Sequence, residues 1–203
     1  MSMTGVEAAA PSGDVASVSN EAELAVIKAA RDCRERFGRE KVTMDDVCAA
    51  AGISRATLYR LFPGGRDVLF DAVRVHSLNE FFDSLRADIE DADTLEEFLV
   101  RVIVGASTAL RDDEHLAVAL ATEPGAALGD LTFDGLERII RSATDFFTPF
   151  AARYTSASNT AEIFDITTRL VISYHLSASR IFNFTQRESA RRFVRTHLLP
   201  TIH

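Results

Sequence analysis

Apolar side chains recur every three or four residues along most of the chain, which is the period of an α-helix buried on one side. The alternation of apolar and polar residues that marks a strand does not occur. The spacing predicts helices over about 21–37, 44–51, 55–62, 66–90, 95–111, 113–122, 133–154, 160–184 and 186–199. Pro124-Gly125 opens a segment that is predicted to be looser. We therefore expect an all-α protein.

The two shortest predicted helices are joined at a glycine. Thr43 is a suitable N-cap for the first, Gly52 supplies the turn, and Ser54 caps the second. In the second helix Leu58 and Phe62 are spaced to point inward. Two short helices that cross at a glycine turn form the unit that places a helix in the DNA major groove.

Changes in composition predict three parts in the chain. Residues 1–20 are small and polar without periodicity and are expected to form a disordered tail. Residues 21–66 are expected to form a three-helix, helix-turn-helix DNA-binding domain. Residues 67–203 are expected to form a larger helical domain for regulation, ligand binding and dimerisation.

The net charge of −8 is unusual for a DNA-binding protein, but the charge is unevenly distributed. Residues 28–66 contain nine Lys and Arg against five Asp and Glu, whereas residues 67–203 contain 13 Arg against 21 acidic residues. The basic block therefore coincides with the candidate helix-turn-helix. An acidic body is expected to repel DNA everywhere except at that end.

The sequence carries no pattern typical of an enzyme, a metal protein or a membrane protein. It has no Gly-rich phosphate loop and no nucleophile elbow, and no cofactor is expected. Cys33 and Cys48 lie on predicted inner faces, which indicates buried thiols, with a redox switch as the alternative. No apolar run is long enough to span a membrane and no signal peptide is visible, so the expected compartment is the cytoplasm.

The stretch over about residues 24–70 resembles the tetracycline-repressor (TetR) family of bacterial transcription regulators. The turn glycine, the Ser cap, the Leu-Tyr pair and the closing Phe stand at the family's spacing. The resemblance lies in Thr43, Val47 and the run Ala50-Ala51-Gly52-Ile53-Ser54-Arg55-Ala56-Thr57-Leu58-Tyr59-Arg60-Leu61-Phe62. The rest of the chain matches only in the number and length of its helices.

The resemblance implies DNA contacts for particular residues. Thr43 would contact a backbone phosphate, and Tyr59 and Arg60 would hold phosphates beside the recognition helix. Arg55, Ala56 and Thr57 would face base edges, where an arginine can bind guanine at two points. The complete set is Thr43, Ser54, Arg55, Ala56, Thr57, Tyr59, Arg60, Gly65 and Arg66.

One departure from the family's pattern concerns the start of the fourth helix. Many members have a lysine just before that helix, whereas this chain has Gly65 followed by Arg66. Backbone N–H groups of Gly64, Gly65 and Arg66 at the helix N-terminus could receive a phosphate instead. Glu21 and Glu23 stand where a basic arm often precedes the first helix, so minor-groove contacts from the tail are not expected.

The resemblance also implies a pocket for a small molecule in the larger domain. Phenylalanine is abundant there, which suits an apolar or aromatic ligand anchored by one or two polar groups. The predicted pocket lies between the helices that carry Phe81, Phe98 and the Phe146–Phe150 segment. Its candidate residues are His76, Phe81, Phe98, Arg101, Phe146, Phe147, Phe150 and Tyr174.

These observations predict a sequence-specific transcriptional regulator, not an enzyme. It would act as a homodimer on a pseudo-palindromic DNA operator and as a repressor that a small molecule releases. Stripes along the last two helices are the predicted dimer contacts, at Ile163, Ile166, Leu170, Tyr174, Ser177, Phe193, Leu198 and Leu199. The alternatives are an all-α enzyme or lipid-binding protein whose helix-turn-helix is only structural, and a regulator without an effector.

Overall fold

The structure, a computed structural model, describes residues 12–38 and 41–201. These residues form helices and no strand, which confirms the all-α prediction. The helices are α1 (Ser12–Phe37), α2 (Met44–Ala51), α3 (Arg55–Leu61), α4 (Gly65–Ile89), α5 (Leu95–Asp112), α6 (Glu114–Thr122), α7 (Pro124–Leu131), α8 (Phe133–Ala151), α9 (Ala157–Leu176) and α10 (Arg187–Phe193). A π-helical turn (Val194–Leu198) and a 3₁₀ turn (Leu199–Thr201) follow α10. None of the described helices is long and apolar enough to cross a membrane.

The first helix is longer than its sequence pattern predicts. It begins at Ser12, whereas the pattern predicts a start near Glu21. Of the predicted disordered tail, residues 1–11 lie outside the described residues, and residues 12–20 are helical. Extending an existing helix fixes only one residue for each new hydrogen bond, so it needs no amphipathic pattern of its own. The helix ends at Gly38, as predicted, with a φ of 83°.

Two further segments differ from the prediction. Residues 124–131 form α7, because Pro124 occupies the first helical turn, where a proline is tolerated. The helix predicted to reach Phe184 ends at Leu176. In the segment that follows, side chains accept backbone N–H groups: Ser179 Oγ accepts from Ile181 at 3.1 Å, and Ser189 Oγ of α10 accepts from Asn183 at 2.9 Å.

The chain divides into two compact units, Met1–His76 and Ser77–His203. The first unit has a core of its own, made from α1, α2, α3 and the start of α4. Its buried residues are Val26, Ala30, Cys33, Val42, Val47, Cys48, Leu58, Phe62, Leu69, Phe70 and Val73. Both cysteines are therefore buried thiols, as predicted. Phe37, which shares the spacing of this inner face, is instead 49% exposed.

The division between the units falls ten residues after the predicted boundary at 66/67. Three side chains from the beginning of α4, Leu69, Phe70 and Val73, are buried in the first core. Further along the same helix, Phe82, Leu85 and Ile89 are buried in the core of the second unit. α4 therefore contributes buried side chains to each of the two cores. The first unit ends within α4, not at the start of that helix.

The second unit packs around aromatic rings contributed by α5, α8 and α9. Phe98, Phe147 and Phe164 are each at most 2% exposed. The rings of Phe147 and Phe164 stack with their centroids 4.7 Å apart. Thr94 and Ser156 cap α5 and α9 by accepting a backbone N–H three residues on, as N-cap residues do.

Candidate nucleic-acid interface

The beginning of α2 is fixed by a reciprocal cap. Thr43 Oγ1 accepts from the backbone N–H of Asp46 at 3.2 Å, and the Asp46 carboxylate accepts from the Thr43 backbone N–H at 2.9 Å. The Thr43 hydroxyl also donates to that carboxylate at 2.6 Å. These hydrogen bonds lower the pKa of Asp46. Thr43 is exposed, but its hydroxyl proton is held by Asp46, so a phosphate would have to displace it.

Gly52 makes the turn between α2 and α3. Its φ of 66° and ψ of 31° are left-handed, a conformation that glycine adopts without steric cost. The backbone N–H groups of Gly52 and Ile53 both donate to the Cys48 carbonyl, which closes α2. Ser54 then caps α3 by accepting from the Thr57 backbone N–H at 3.1 Å. The Ser54 side chain is therefore part of the cap.

The helix α3 has one buried side and one exposed side. Leu58 is fully buried and anchors α3 on the core of the first unit. Arg55, Ala56, Tyr59 and Arg60 are exposed. Thr57 is half-buried, with its hydroxyl 3.0 Å from that of Ser54. The predicted base-facing and phosphate-facing residues of α3 thus lie on a surface that a ligand can reach.

Arg55 has a partner that the sequence pattern did not predict. Its guanidinium donates from Nε and Nη2 to the two carboxylate oxygens of Asp45, on α2. The side chains remain 66% and 60% exposed, respectively. The hydrogen bond from Arg55 is the largest cause that lowers the pKa of Asp45. The ion pair crosses ten residues and a turn, so neither helix pattern contains a signal for it.

Gly65 begins α4 and has a structural role. Its φ is 66°, and its backbone N–H donates to the Phe62 carbonyl at 2.8 Å. This N–H group is therefore already hydrogen-bonded within the chain, and its interpretation as a phosphate donor stays a prediction. A Cβ at Gly65 would also lie 3.4 Å from the ring of Tyr59. The Arg66 guanidinium lies 4.9 Å from the centroid of the Phe70 ring, on the outside of α4.

The phenylalanines predicted to line the effector pocket pack against one another. Phe98 and Phe147 are buried in the core and contact one another edge to face, with centroids 6.2 Å apart. Phe81, Phe146 and Phe150 are partly buried against the same core. Their abundance reflects aromatic packing, in which each ring fills the space beside another. These five residues therefore pack in or against the core, and their role in lining an effector pocket stays a prediction.

The remaining candidate effector residues are His76, Arg101 and Tyr174. Arg101 donates to Glu97 at 2.7 Å, to the Asp88 carbonyl at 2.8 Å and to Asp91, so it belongs to a surface ion-pair network. His76 closes the first unit. Of the eight candidate effector residues, Tyr174 lines a cavity in the second unit.

That cavity of about 290 Å³ lies between α5, α9 and the segment after α9. Ser107 and His175 line it with Tyr174, Val171, Phe182 and Phe184. The Ser107 hydroxyl is buried and has no hydrogen-bond partner among the described residues. Burial lowers the pKa of His175, so its imidazole is neutral near pH 7. The sequence pattern missed this cavity because it predicts helix where the lining segment is irregular.

The residues that form α2 and α3 lie within a match to a known protein family. The family model described as bacterial regulatory proteins, tetR family, matches residues 26–73. HTH-type transcriptional regulators of Mycobacterium tuberculosis H37Rv and Mycobacterium bovis are 31% and 30% identical over 98 residues, which are 48% of this chain and 49% of each relative. The matched part of the chain thus spans about half the length of these curated relatives.

Two crystal structures are similar over most of the chain. The TetR family repressor AlkX from Dietzia sp. strain DQ12-45-1b, implicated in biodegradation of n-alkanes, superimposes with a TM-score of 0.64 at 26% identity. The match covers 88% of this chain and 98% of AlkX. A putative TetR-family regulator from Mesorhizobium loti gives a TM-score of 0.52 at 18% identity, covering 87% and 96% of the two chains, and shows the fold alone.

Proposed function

We propose that this chain, which belongs to the tetR family of bacterial regulatory proteins, is a sequence-specific DNA-binding transcriptional regulator that acts as a repressor. The observation that carries the proposal is the geometry of α2 and α3. Two capped short helices meet at a left-handed glycine, and the second is anchored by Leu58 with its polar side exposed. That arrangement presents a helix to the major groove.

The exposed side chains of α3 support separate roles at the DNA. Arg55 carries the donors that suit guanine O6 and N7, and Ala56 and Thr57 suit apolar contact with a thymine methyl. Tyr59 and Arg60 suit phosphate oxygens. Thr43, Ser54 and Arg66 are proposed as further contacts with the DNA backbone. Gly65 is proposed only to shape the turn that places Tyr59.

The first experiment selects binding sites from a random double-stranded DNA library with the full chain, and then compares variants on the selected site. Arg55→Ala is expected to lose about 1–3 kcal/mol of binding free energy at one base position. Tyr59→Phe is expected to weaken all DNA sequences alike. Arg111→Ala, which removes an exposed arginine from α5, is the matched control and should bind as the wild type does. Failure of the wild type to enrich any sequence would instead support the alternative in which the helix-turn-helix is only structural.

A single recognition helix reads too few base pairs for high specificity, so we propose that two copies bind one pseudo-palindromic operator. We propose a dimer surface that differs from the predicted stripes, since Ile163, Phe193 and Leu198 are buried within the chain. Ile166 on α9 is 37% exposed and Ile181 is 72% exposed. We propose that the exposed side of α9 makes the isologous contact.

We further propose that a small apolar or aromatic molecule releases the repressor. The cavity beside Tyr174 supports this proposal, because Tyr174, Phe182 and Phe184 line it together with polar side chains that could anchor a ligand. The similarity to AlkX suggests including n-alkanes in the ligand library. A ligand can weaken operator binding only by its differential affinity for two conformations of the protein. Operator affinity that no apolar or aromatic ligand changes would favour a regulator without an effector.

A further inference from the structure

We propose that Asp45 is a positioning residue that makes Arg55 selective for guanine. The inference rests on the proposed DNA-binding function and names a specificity determinant outside the recognition helix. Asp45 stands in the first turn of α2, and its carboxylate holds the side chain that begins α3. The ion pair therefore joins the two helices of the helix-turn-helix at their exposed side.

The pairing of atoms leaves the reading edge of Arg55 available. A guanidinium has five N–H donors in a planar fork. Asp45 takes the donors on one edge, Nε and one hydrogen of Nη2. Nη1 and the second hydrogen of Nη2 form the other edge, and two adjacent donors suit O6 and N7 of guanine. Arg55 can thus bind Asp45 and guanine at the same time.

The neighbouring aspartate shows that this pairing is separate from helix capping. Asp46 completes the cap with Thr43, at 2.9 Å to its backbone N–H and 2.6 Å to its hydroxyl. Asp45 is not part of that cap, and its carboxylate binds Arg55 at the start of α3. Removal of the Asp45 carboxylate therefore leaves both the Thr43 and the Ser54 caps intact.

The charge of Asp45 also acts against the wrong contacts. An unpaired arginine binds any phosphate, and phosphate contacts supply most of the affinity for random DNA. A carboxylate held beside Arg55 cancels its net charge and repels a phosphate, whereas the directed hydrogen bonds to guanine remain. Asp45 is expected to lower the affinity for random DNA and to raise the ratio of specific to random binding.

The test uses the full chain and the site selected from the random library. Affinities are measured for that site, for the same site with the guanine opposite Arg55 replaced by adenine, and for random DNA, at several salt concentrations. Arg55→Ala identifies the base position in question. The variants are Asp45→Ala, Asp45→Glu as the conservative rescue, and Asp67→Ala, which removes another exposed acid of the first unit. Circular dichroism checks that each variant remains helical.

Asp45→Ala is expected to lower the preference for guanine over adenine about five- to tenfold, within the range that one bidentate pair supplies. Its binding to random DNA should tighten, with a salt slope steeper by about 0.9 for one additional phosphate contact. Asp45→Glu should restore most of the guanine preference. Asp67→Ala should leave the preference unchanged.

Two results would overturn the inference. If Asp45→Ala tightens binding to all three DNAs equally, the carboxylate acts only as a repelling charge. If Arg55→Ala relaxes a position that is not guanine, Arg55 has no guanine edge to position. Neither result affects the proposed function, because the wild type still selects a site. Only a wild type that selects no sequence would remove both proposals together.

Discussion

Adjacent residues of the same type can have different partners, as Asp45 and Asp46 do. Asp46 accepts hydrogen bonds from Thr43, and Asp45 accepts them from Arg55. The sequence explains both as acids at a helix N-terminus, where negative charge is favoured. It could not predict the contact with Arg55, which depends on the angle at which Gly52 joins the two helices. The caps were predictable because they involve residues three apart.

The burial of His175 predicts that the stability of the protein depends on pH. Burial lowers its pKa in the folded protein, although the nearby Asp113 opposes the shift. Below the ordinary histidine pKa of about 6.5, the unfolded chain therefore takes up a proton that the folded chain does not. The contribution of His175 to stability is present above that pH and declines as the pH falls towards 5.

The prediction is tested by thermal unfolding at pH 7.5 and pH 5.5. His175→Gln should show a smaller fall in Tm between the two pH values than the wild type shows. His115→Gln, which replaces an exposed histidine, is the control and should keep the wild-type difference. An identical fall in Tm in the wild type and His175→Gln would show that His175 does not titrate differently on folding.

A cluster of charges joins α5 to α10. Glu97 accepts from Arg101 at 2.7 Å, from Arg191 at 3.2 Å and from Arg187. Glu96 accepts from Arg195 at 2.8 Å. The hydrogen bond from Arg101 is the largest cause of the lowered pKa of Glu97. This cluster holds the last helix on α5 by several charge-assisted hydrogen bonds.

Glu97→Gln should destabilise the protein by on the order of 1–3 kcal/mol, because Arg101 and Arg191 would lose a charged acceptor in a partly buried place. Denaturation in urea at pH 7 measures the change. The difference from the wild type should shrink as the pH falls below about 4.3, where the carboxylate of the unfolded chain is protonated. Glu137→Gln, which alters a more exposed pair with Arg169, should cost less than about 1 kcal/mol. Equal losses for the two variants would contradict this account of the cluster.

The elements of the second unit were predictable to different degrees. Thr94 and Asp113 stand at their predicted helix starts, since a cap is a local signal. The break after Leu176 was not predicted, because the apolar spacing continues through Ile181 and Phe182. Beyond the break, backbone N–H groups of Ile181 and Asn183 donate to the side chains of Ser179 and Ser189 instead of to helix carbonyls. The cavity beside that segment was hidden for the same reason.

The proposed dimer can be disrupted by a charge on the exposed side of α9. Ile166→Asp should place a charge in the contact made by α9 and produce monomers that remain helical and lose operator binding. Light scattering after size exclusion measures the mass, and circular dichroism measures the helicity. Val118→Asp changes an apolar residue of α6 that is 60% exposed, and it should stay dimeric. A wild-type monomer at micromolar concentration would exclude the proposed assembly.

The two separate cores determine where this chain can be cut. A protein engineer who wants to transplant the proposed DNA-binding unit onto another protein would be tempted to end it at residue 66, where α4 has just begun. That fragment lacks Leu69, Phe70 and Val73, three of the side chains that fill its own core. A fragment ending after His76 retains all of them. The family match ends at the same core, at residue 73, so the portable module includes about the first three turns of the helix that leaves it.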